Sequence, residues 1–112
     1  MLTRKIYILT AIIVSLIHFM YNLTHVEGKE KGKIVLYALS TCVWCKKTKE
    51  LLEELNVDFY FTDVDLLDIG EKEKTKEEIK KSNPSCSFPS LVIDNKFCIV
   101  GYDEKKVREA LK

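Results

Sequence analysis

Two cysteines separated by two residues, Cys42 and Cys45, are the side chains of this chain best suited to chemistry. A β-favouring run precedes them and a run with helical periodicity follows, which predicts that they lie at the N-terminus of a helix. A thiolate at that place faces unpaired backbone N–H groups and the positive end of the helix dipole, and both stabilise it. We therefore predict that Cys42 is the nucleophile of thiol–disulfide exchange, and that Cys45, one helical turn along, resolves the mixed disulfide.

The same pair of cysteines also fits a metal site or a structural disulfide. Half of a zinc site has this spacing, but the other two cysteines, Cys86 and Cys98, are separated by eleven residues. A disulfide across so short a loop removes little entropy from the unfolded chain. Both alternatives are therefore weaker than redox chemistry, and we predict neither a metal nor a cofactor.

The elements that must position the pair follow the order β-α-β-α-β-β-α. Strands are predicted from short β-favouring or alternating apolar runs, and helices from apolar residues at helical spacing. The predicted strands cover 33–39, 57–64, 90–94 and 96–100, and the helices cover 46–55, 71–82 and a short segment after Asp103. This order predicts an α/β fold with a four-stranded mixed sheet flanked by three helices and a right-handed crossover.

A run without charged residues extends from Ile6 to Val26. At about 1.5 Å per residue, a helix of this length spans roughly 30 Å, the thickness of a bilayer core. Arg4 and Lys5 precede the run, as in a signal peptide or a membrane anchor with a cytoplasmic N-terminus. We therefore expect a transmembrane or signal helix over residues 1–26 and the membrane as a partner. The chain would then be a single-pass membrane protein with an extracytoplasmic domain, or a secreted protein.

The composition of the remaining chain limits its function. Residues 27–32 are charged and contain two glycines, which is typical of a linker, so the predicted domain covers 33–112. A domain of this size buries only about 60% of its unfolded surface, so we expect its site at the surface. The 18 basic and 17 acidic residues are interspersed and leave a net charge of +1. This pattern lacks the basic stripe typical of nucleic-acid binding, so no nucleic-acid partner is expected.

Three stretches of the predicted domain resemble glutaredoxins. They are Cys42 to Cys45 after the first strand, Phe88 to Asp94, which is similar to the family's cis-proline strand, and Gly101 to Glu104, which is similar to its glycine–aspartate turn. The resemblance covers about residues 33–111. It implies a thioredoxin-like fold and the activity of a thiol–disulfide oxidoreductase.

The resemblance also implies where a substrate binds. In that family the residue before the cis-proline offers backbone hydrogen bonds to an extended substrate beside the active cysteines. Phe88 and Pro89 therefore take a predicted substrate-binding role, with a cis peptide bond between them. The other predicted substrate-binding residues are Trp44, Gly101, Tyr102 and Asp103.

The chain departs from the family at two places, which widens the range of expected partners. Val43 and Trp44 stand where glutaredoxins often have Pro and Tyr, and the C-terminal turn has a single glycine, Gly101. We expect protein or small-molecule disulfides as substrates, and glutathione or a thioredoxin-like protein as thiol donor. The competing hypotheses are a non-catalytic, membrane-linked module that senses redox state or binds an iron–sulfur cluster, and a structural membrane adaptor.

The two remaining cysteines have different predicted roles. In a thioredoxin-like fold, Cys86 would lie on a loop that faces the active site, where it is an additional redox thiol, a small buried residue, or a cysteine paired with another under oxidising conditions. Cys98 lies in the middle of a predicted strand between Phe97 and Ile99. We predict that Cys98 is a core residue.

Overall fold

The computed structural model describes residues 23–112, which form a five-stranded mixed sheet and three helices. The strands are β1 (Thr24–Val26), β2 (Ile34–Ala38), β3 (Phe59–Asp63), β4 (Ser90–Ile93) and β5 (Phe97–Val100). The helices are α1 (Val43–Glu54), α2 (Ile69–Lys80) and α3 (Glu104–Ala110), and a short 3-10 helix covers Val64–Leu66. The predicted α/β architecture with three helices and a mixed sheet is confirmed, with one strand more than predicted.

The sheet order is β1-β3-β2-β4-β5, and only β2 and β3 run parallel. Helix α1 connects these two strands, as a crossover between parallel strands requires. Their carboxyl ends meet at one edge of the sheet, where Ala38 pairs with Asp63. The loop that follows β2 and carries the cysteines therefore lies beside the segment that follows β3.

The core lies between the sheet and the apolar faces of the helices. Strand β2 is buried along most of its length, which matches its continuous apolar sequence. Helix α1 contributes Leu51 and Leu52, whereas the only buried residue of α2 is Ile79. The charged helix α2 therefore packs thinly on the rest of the domain. Helix α3 covers the sheet with Val107.

A tight turn joins β4 and β5 at the predicted place. Asp94 and Asn95 both have positive φ, 54° and 57°, and the Lys96 N–H donates to the Ile93 carbonyl at 3.1 Å. Short polar side chains tolerate this left-handed backbone better than most residues do. The predicted antiparallel hairpin is therefore confirmed.

Strand β1 is the element that the sequence pattern did not predict. It pairs antiparallel with β3, with Thr24 opposite Phe61 and Val26 opposite Phe59. His25 stacks on Tyr60 with ring centroids 4.5 Å apart. Backbone hydrogen bonds of Lys29 to residues 56 and 58, each 2.8 Å long, also attach the predicted linker to the domain. The folded domain thus begins before residue 33.

The predicted localisation, a single-pass membrane protein with an extracytoplasmic domain or a secreted protein, is contradicted by the fold. Across residues 23–112 no helix is long and apolar enough to cross a membrane. Thr24–Val26, the end of the predicted anchor, forms an edge strand. Absence of charge alone does not distinguish a membrane helix from a strand that covers a sheet edge. A membrane partner is likewise unsupported, and residues 1–22 of the predicted anchor lie outside the described residues.

Candidate active site

Cys42 stands at the junction between the loop after β2 and helix α1. Its backbone is extended, with φ −88° and ψ 117°, and its Sγ accepts a hydrogen bond from the Cys45 N–H at 3.2 Å. The sulfur therefore caps the helix in the way that a serine or aspartate oxygen usually does. At this position it also meets the positive end of the helix dipole, which stabilises a thiolate.

Cys45 lies beside Cys42 in a different environment. It is only 1% exposed, and burial raises the pKa of its thiol to about 12, with further contributions from its hydrogen bond to Cys42 and from the Asp63 carboxylate. Cys42 is half-buried, and the two cysteines are not joined in a disulfide. The pair therefore consists of one accessible sulfur and one buried thiol that holds its proton at neutral pH.

A pair of hydrogen bonds fixes the loop that precedes Cys42. The Ser40 N–H donates to the Asp65 carboxylate at 2.8 Å, and the Ser40 hydroxyl donates to the other carboxylate oxygen. These bonds lower the pKa of Asp65. The sequence pattern predicted neither a role for Asp65 nor its contact with Ser40. The signal that could have found this contact is topological, because both residues follow the carboxyl ends of neighbouring parallel strands.

An aromatic surface flanks α1 beside the cysteines. Trp44 is 56% exposed, and its ring stacks on Tyr102 with centroids 5.8 Å apart and planes inclined by 25°. The Lys47 ammonium lies 4.8 Å from the Trp44 ring centroid. The tertiary structure thus brings together two predicted site residues that are far apart in the sequence.

The Phe88–Pro89 peptide bond is cis, as predicted. Pro89 is buried, and its carbonyl accepts a hydrogen bond from the Gly101 N–H at 2.8 Å. Gly101 has φ +78°, a left-handed conformation that glycine adopts without steric cost. Phe88 and Tyr102 are partly buried against the core cluster, as Cys42 is. Two of the three predicted stretches are therefore bonded to each other.

Asp103 has a structural contact in this fold. Its carboxylate accepts a hydrogen bond from the Lys106 N–H at 3.1 Å and so caps helix α3. This cap matches the helix start predicted from the sequence. A contact between Asp103 and a substrate stays a prediction.

An open cleft of about 470 Å³ lies on the other flank of α1. Both cysteines line it together with charged side chains, which include Lys46, Lys49 and Asp63. Lys49 is held over the Phe61 ring, with its Nζ 3.7 Å from the centroid. The cleft therefore offers a small polar molecule a path to the half-buried Cys42.

The structure gives the surroundings of the other two cysteines. The Cys86 thiol is half-buried and lies 3.9 Å from the Lys76 carbonyl of α2. A redox role for Cys86 stays a prediction. Cys98 is half-buried rather than part of the core, because β5 is an edge strand of the sheet.

Residues 34–98, more than half of the chain, match the family model for glutaredoxin. The chain belongs to the glutaredoxin family. This glutaredoxin is similar to methanoredoxin from Methanosarcina acetivorans, with 52% identity, a TM-score of 0.74, and coverage of 75% of this chain and 88% of that one. A glutaredoxin from Methanosarcina mazei is 50% identical, with a TM-score of 0.76 and coverage of 80% of this chain and 87% of the other.

A bacterial relative also aligns over the folded domain. It is described as an uncharacterized glutaredoxin-like 8.6 kDa protein in the rubredoxin operon of Clostridium pasteurianum. It is 34% identical over 79 residues, which cover 70% of this chain and 97% of the relative. These similarities support a thiol oxidoreductase of the glutaredoxin type at the general level.

Proposed function

We propose that this glutaredoxin reduces disulfides with Cys42 and Cys45 acting as a dithiol. The observation that carries the proposal is the inequality of the two cysteines. The accessible Cys42 sulfur caps α1, whereas Cys45 is buried and protonated. A nucleophile needs access and a stabilised thiolate, and a resolving thiol needs only to reach the sulfur beside it.

The reaction proceeds in two exchange steps. The Cys42 thiolate attacks one sulfur of the substrate disulfide, and the other half leaves as a thiolate that takes up a proton. Cys45 then loses its proton and attacks the Cys42 sulfur. This step releases the second half of the substrate and forms the Cys42–Cys45 disulfide. Two electrons pass to the substrate, and glutathione or a thioredoxin-like donor returns the protein to the dithiol.

The surface around Cys42 suits an extended disulfide substrate. Within residues 23–112 neither the N–H nor the C=O of Phe88 has a hydrogen-bond partner, so both can pair with a substrate backbone. Trp44, stacked on the half-buried Tyr102, adds an exposed aromatic surface two residues from Cys42. We propose that the hydrogen bond between the Gly101 N–H and the Pro89 carbonyl supports the Phe88–Pro89 segment.

Substitution of each cysteine separately tests the proposal. Cys42→Ser should abolish disulfide reduction because the attacking thiolate is lost. Cys45→Ser should keep the first step and accumulate a mixed disulfide on Cys42, detectable as an added mass in intact-protein mass spectrometry without reductant. Cys98→Ser is the matched control, because this half-buried cysteine lies on an edge strand, and it should retain activity.

Two results would count against these roles. One is equal loss of activity in Cys42→Ser and Cys45→Ser with no trapped adduct in the second variant. The other is a purified protein that is brown and loses its colour in Cys42→Ser, which would support the iron–sulfur alternative instead.

A further inference from the structure

A buried polar cluster lies next to the cis-proline and outside the reacting centre. Asn83 is 4% exposed, and its amide nitrogen donates to the Ser87 carbonyl at 3.2 Å, the Ser87 hydroxyl at 3.2 Å and the Ser90 hydroxyl at 2.9 Å. Its amide oxygen accepts from the Ser85 hydroxyl at 2.7 Å. The carboxamide therefore connects both sides of the Phe88–Pro89 segment.

Hydrogen bonds fix the carbonyls on either side of Phe88. The Ser87 carbonyl accepts from Asn83 and also from the Ser90 hydroxyl, the latter at 2.6 Å. The Pro89 carbonyl accepts from the Gly101 N–H at 2.8 Å. In the described part of the chain, Phe88 itself has its backbone donor and acceptor unused. These bonds therefore hold Phe88 in place from both sides and leave its own N–H and C=O available to a substrate.

The cluster is also anchored to the body of the domain. The Asn83 N–H donates to the Ile79 carbonyl at 2.8 Å at the end of α2, and Ser90 is fully buried at the start of β4. No buried side-chain polar atom within residues 23–112 lacks a hydrogen-bond partner. A fully satisfied buried network is rigid, and loss of one member leaves a buried partner unsatisfied, which costs about 1–3 kcal/mol.

We propose that Asn83 and Ser90 are positioning residues that hold the Ser87–Pro89 backbone so that Phe88 pairs with the backbone of a peptide disulfide. This inference rests on the proposed function of Cys42 and Cys45. Substrates should then fall into two classes according to whether they carry peptide groups. A disulfide within a peptide uses the Phe88 backbone, whereas a disulfide without peptide groups reaches Cys42 without it.

The test compares the two classes of disulfide in single turnovers. The full-length reduced protein is mixed with the disulfide-linked dimer of a blocked pentapeptide with a central cysteine, or with bis(2-hydroxyethyl) disulfide. The protein contains one tryptophan, Trp44, next to Cys42, so its fluorescence reports oxidation of the pair. Asn83→Ala and Ser90→Ala should lower the second-order rate constant for the peptide disulfide about tenfold, the effect of one neutral buried hydrogen bond.

The same variants should react with bis(2-hydroxyethyl) disulfide within about twofold of wild type, because that molecule has no backbone to pair. Ser90→Thr retains the hydroxyl and should restore the peptide rate. Ser85→Ala is the matched control, since it removes the bond to the Asn83 amide oxygen but no bond to the Ser87–Pro89 backbone. If Asn83→Ala does not fold, the pair Ser90→Ala and Ser90→Thr decides the question.

Equal slowing with both disulfides, or no slowing with the peptide, would overturn the inference while leaving the proposed function intact. A wild-type protein that oxidises with neither disulfide would instead overturn the proposed function and the inference with it.

Discussion

Helices α1 and α2 have twelve residues each but are built in opposite ways. Helix α2 begins at a carboxylate cap, Asp68. It has the acidic residue Glu71 in its first turn and the basic residue Lys80 in its last turn. These charges complement the helix dipole. Helix α1 begins at the Cys42 sulfur and has no acidic residue in its first turn and no basic residue in its last. Its three lysines, Lys46, Lys47 and Lys49, all precede its three glutamates, Glu50, Glu53 and Glu54.

The two helices also differ in packing. Helix α1 buries four residues, Cys45, Thr48, Leu51 and Leu52, whereas α2 buries only Ile79. Tertiary contacts therefore stabilise α1, and α2 depends more on its caps and charges. The difference shows that the active-site helix can lack favourable end charges because its packing holds it in place. The first turn of α1 therefore adds no acidic side chain beside the Cys42 sulfur.

The largest effect should come from the single buried side chain of α2. Ile79→Ala removes its only buried apolar contact and should lower the free energy of unfolding by about 2–5 kcal/mol. Leu52→Ala in α1 should cost a similar amount. The two variants should differ in hydrogen exchange, because Ile79→Ala should deprotect the amides of α2 selectively, whereas Leu52→Ala weakens the whole domain. Equal protection of the α2 amides from exchange in both variants would refute the claim that Ile79 alone packs α2 against the domain.

The next effect concerns the pH dependence of the buried cysteine. In the proposed mechanism Cys45 attacks as a thiolate, and burial, the largest cause, raises the pKa of its thiol to about 12. Burial does not depend on a free Cys42 thiol, so we expect the pKa of Cys45 to stay raised in the mixed disulfide and the resolving step to accelerate about tenfold per pH unit below it. The rate can be followed with 5,5′-dithiobis(2-nitrobenzoate), whose second thiolate is released only when Cys45 resolves the adduct.

Cys45→Ser is the control for this measurement, because it should show the first release and lack the second. A second release whose rate constant is the same at pH 6 and pH 9 would show that Cys45 ionises more easily than its burial indicates.

The smallest effect should follow from giving α1 the acidic first turn that α2 already has. Val43 is 64% exposed, so Val43→Glu should raise helix stability by about 0.3–1 kcal/mol through the helix dipole. The same charge should slow attack by Cys42, because it opposes the adjacent thiolate. Chemical denaturation measures the first effect and single-turnover oxidation the second. Val43→Gln is the neutral control. Faster attack by Cys42 in Val43→Glu than in Val43→Gln would show that an acidic first turn does not slow the thiolate.

Local sequence signals determined most of the elements and singled out the pair of Cys42 and Cys45. The apolar periodicity around Leu51 and Leu52 indicated α1, and the Asp94–Asn95 dipeptide indicated the hairpin turn. Such signals act within a few residues, because helix contacts, caps and tight turns are short-range. The resemblance of the Phe88–Pro89 stretch to glutaredoxins likewise predicted the cis peptide bond that the structure shows.

Only the tertiary structure decided which distant residues meet. Strand β1 exists because Thr24–Val26 pairs with β3 across more than thirty residues, and its apolar flank alone suggested a membrane segment instead. The contact between Ser40 and Asp65 and the stacking of Trp44 on Tyr102 likewise follow from how the strands and the helices between them are arranged. The sequence around a polar or aromatic side chain is the same whichever distant partner that side chain contacts. The partner is therefore decided by how the whole chain packs.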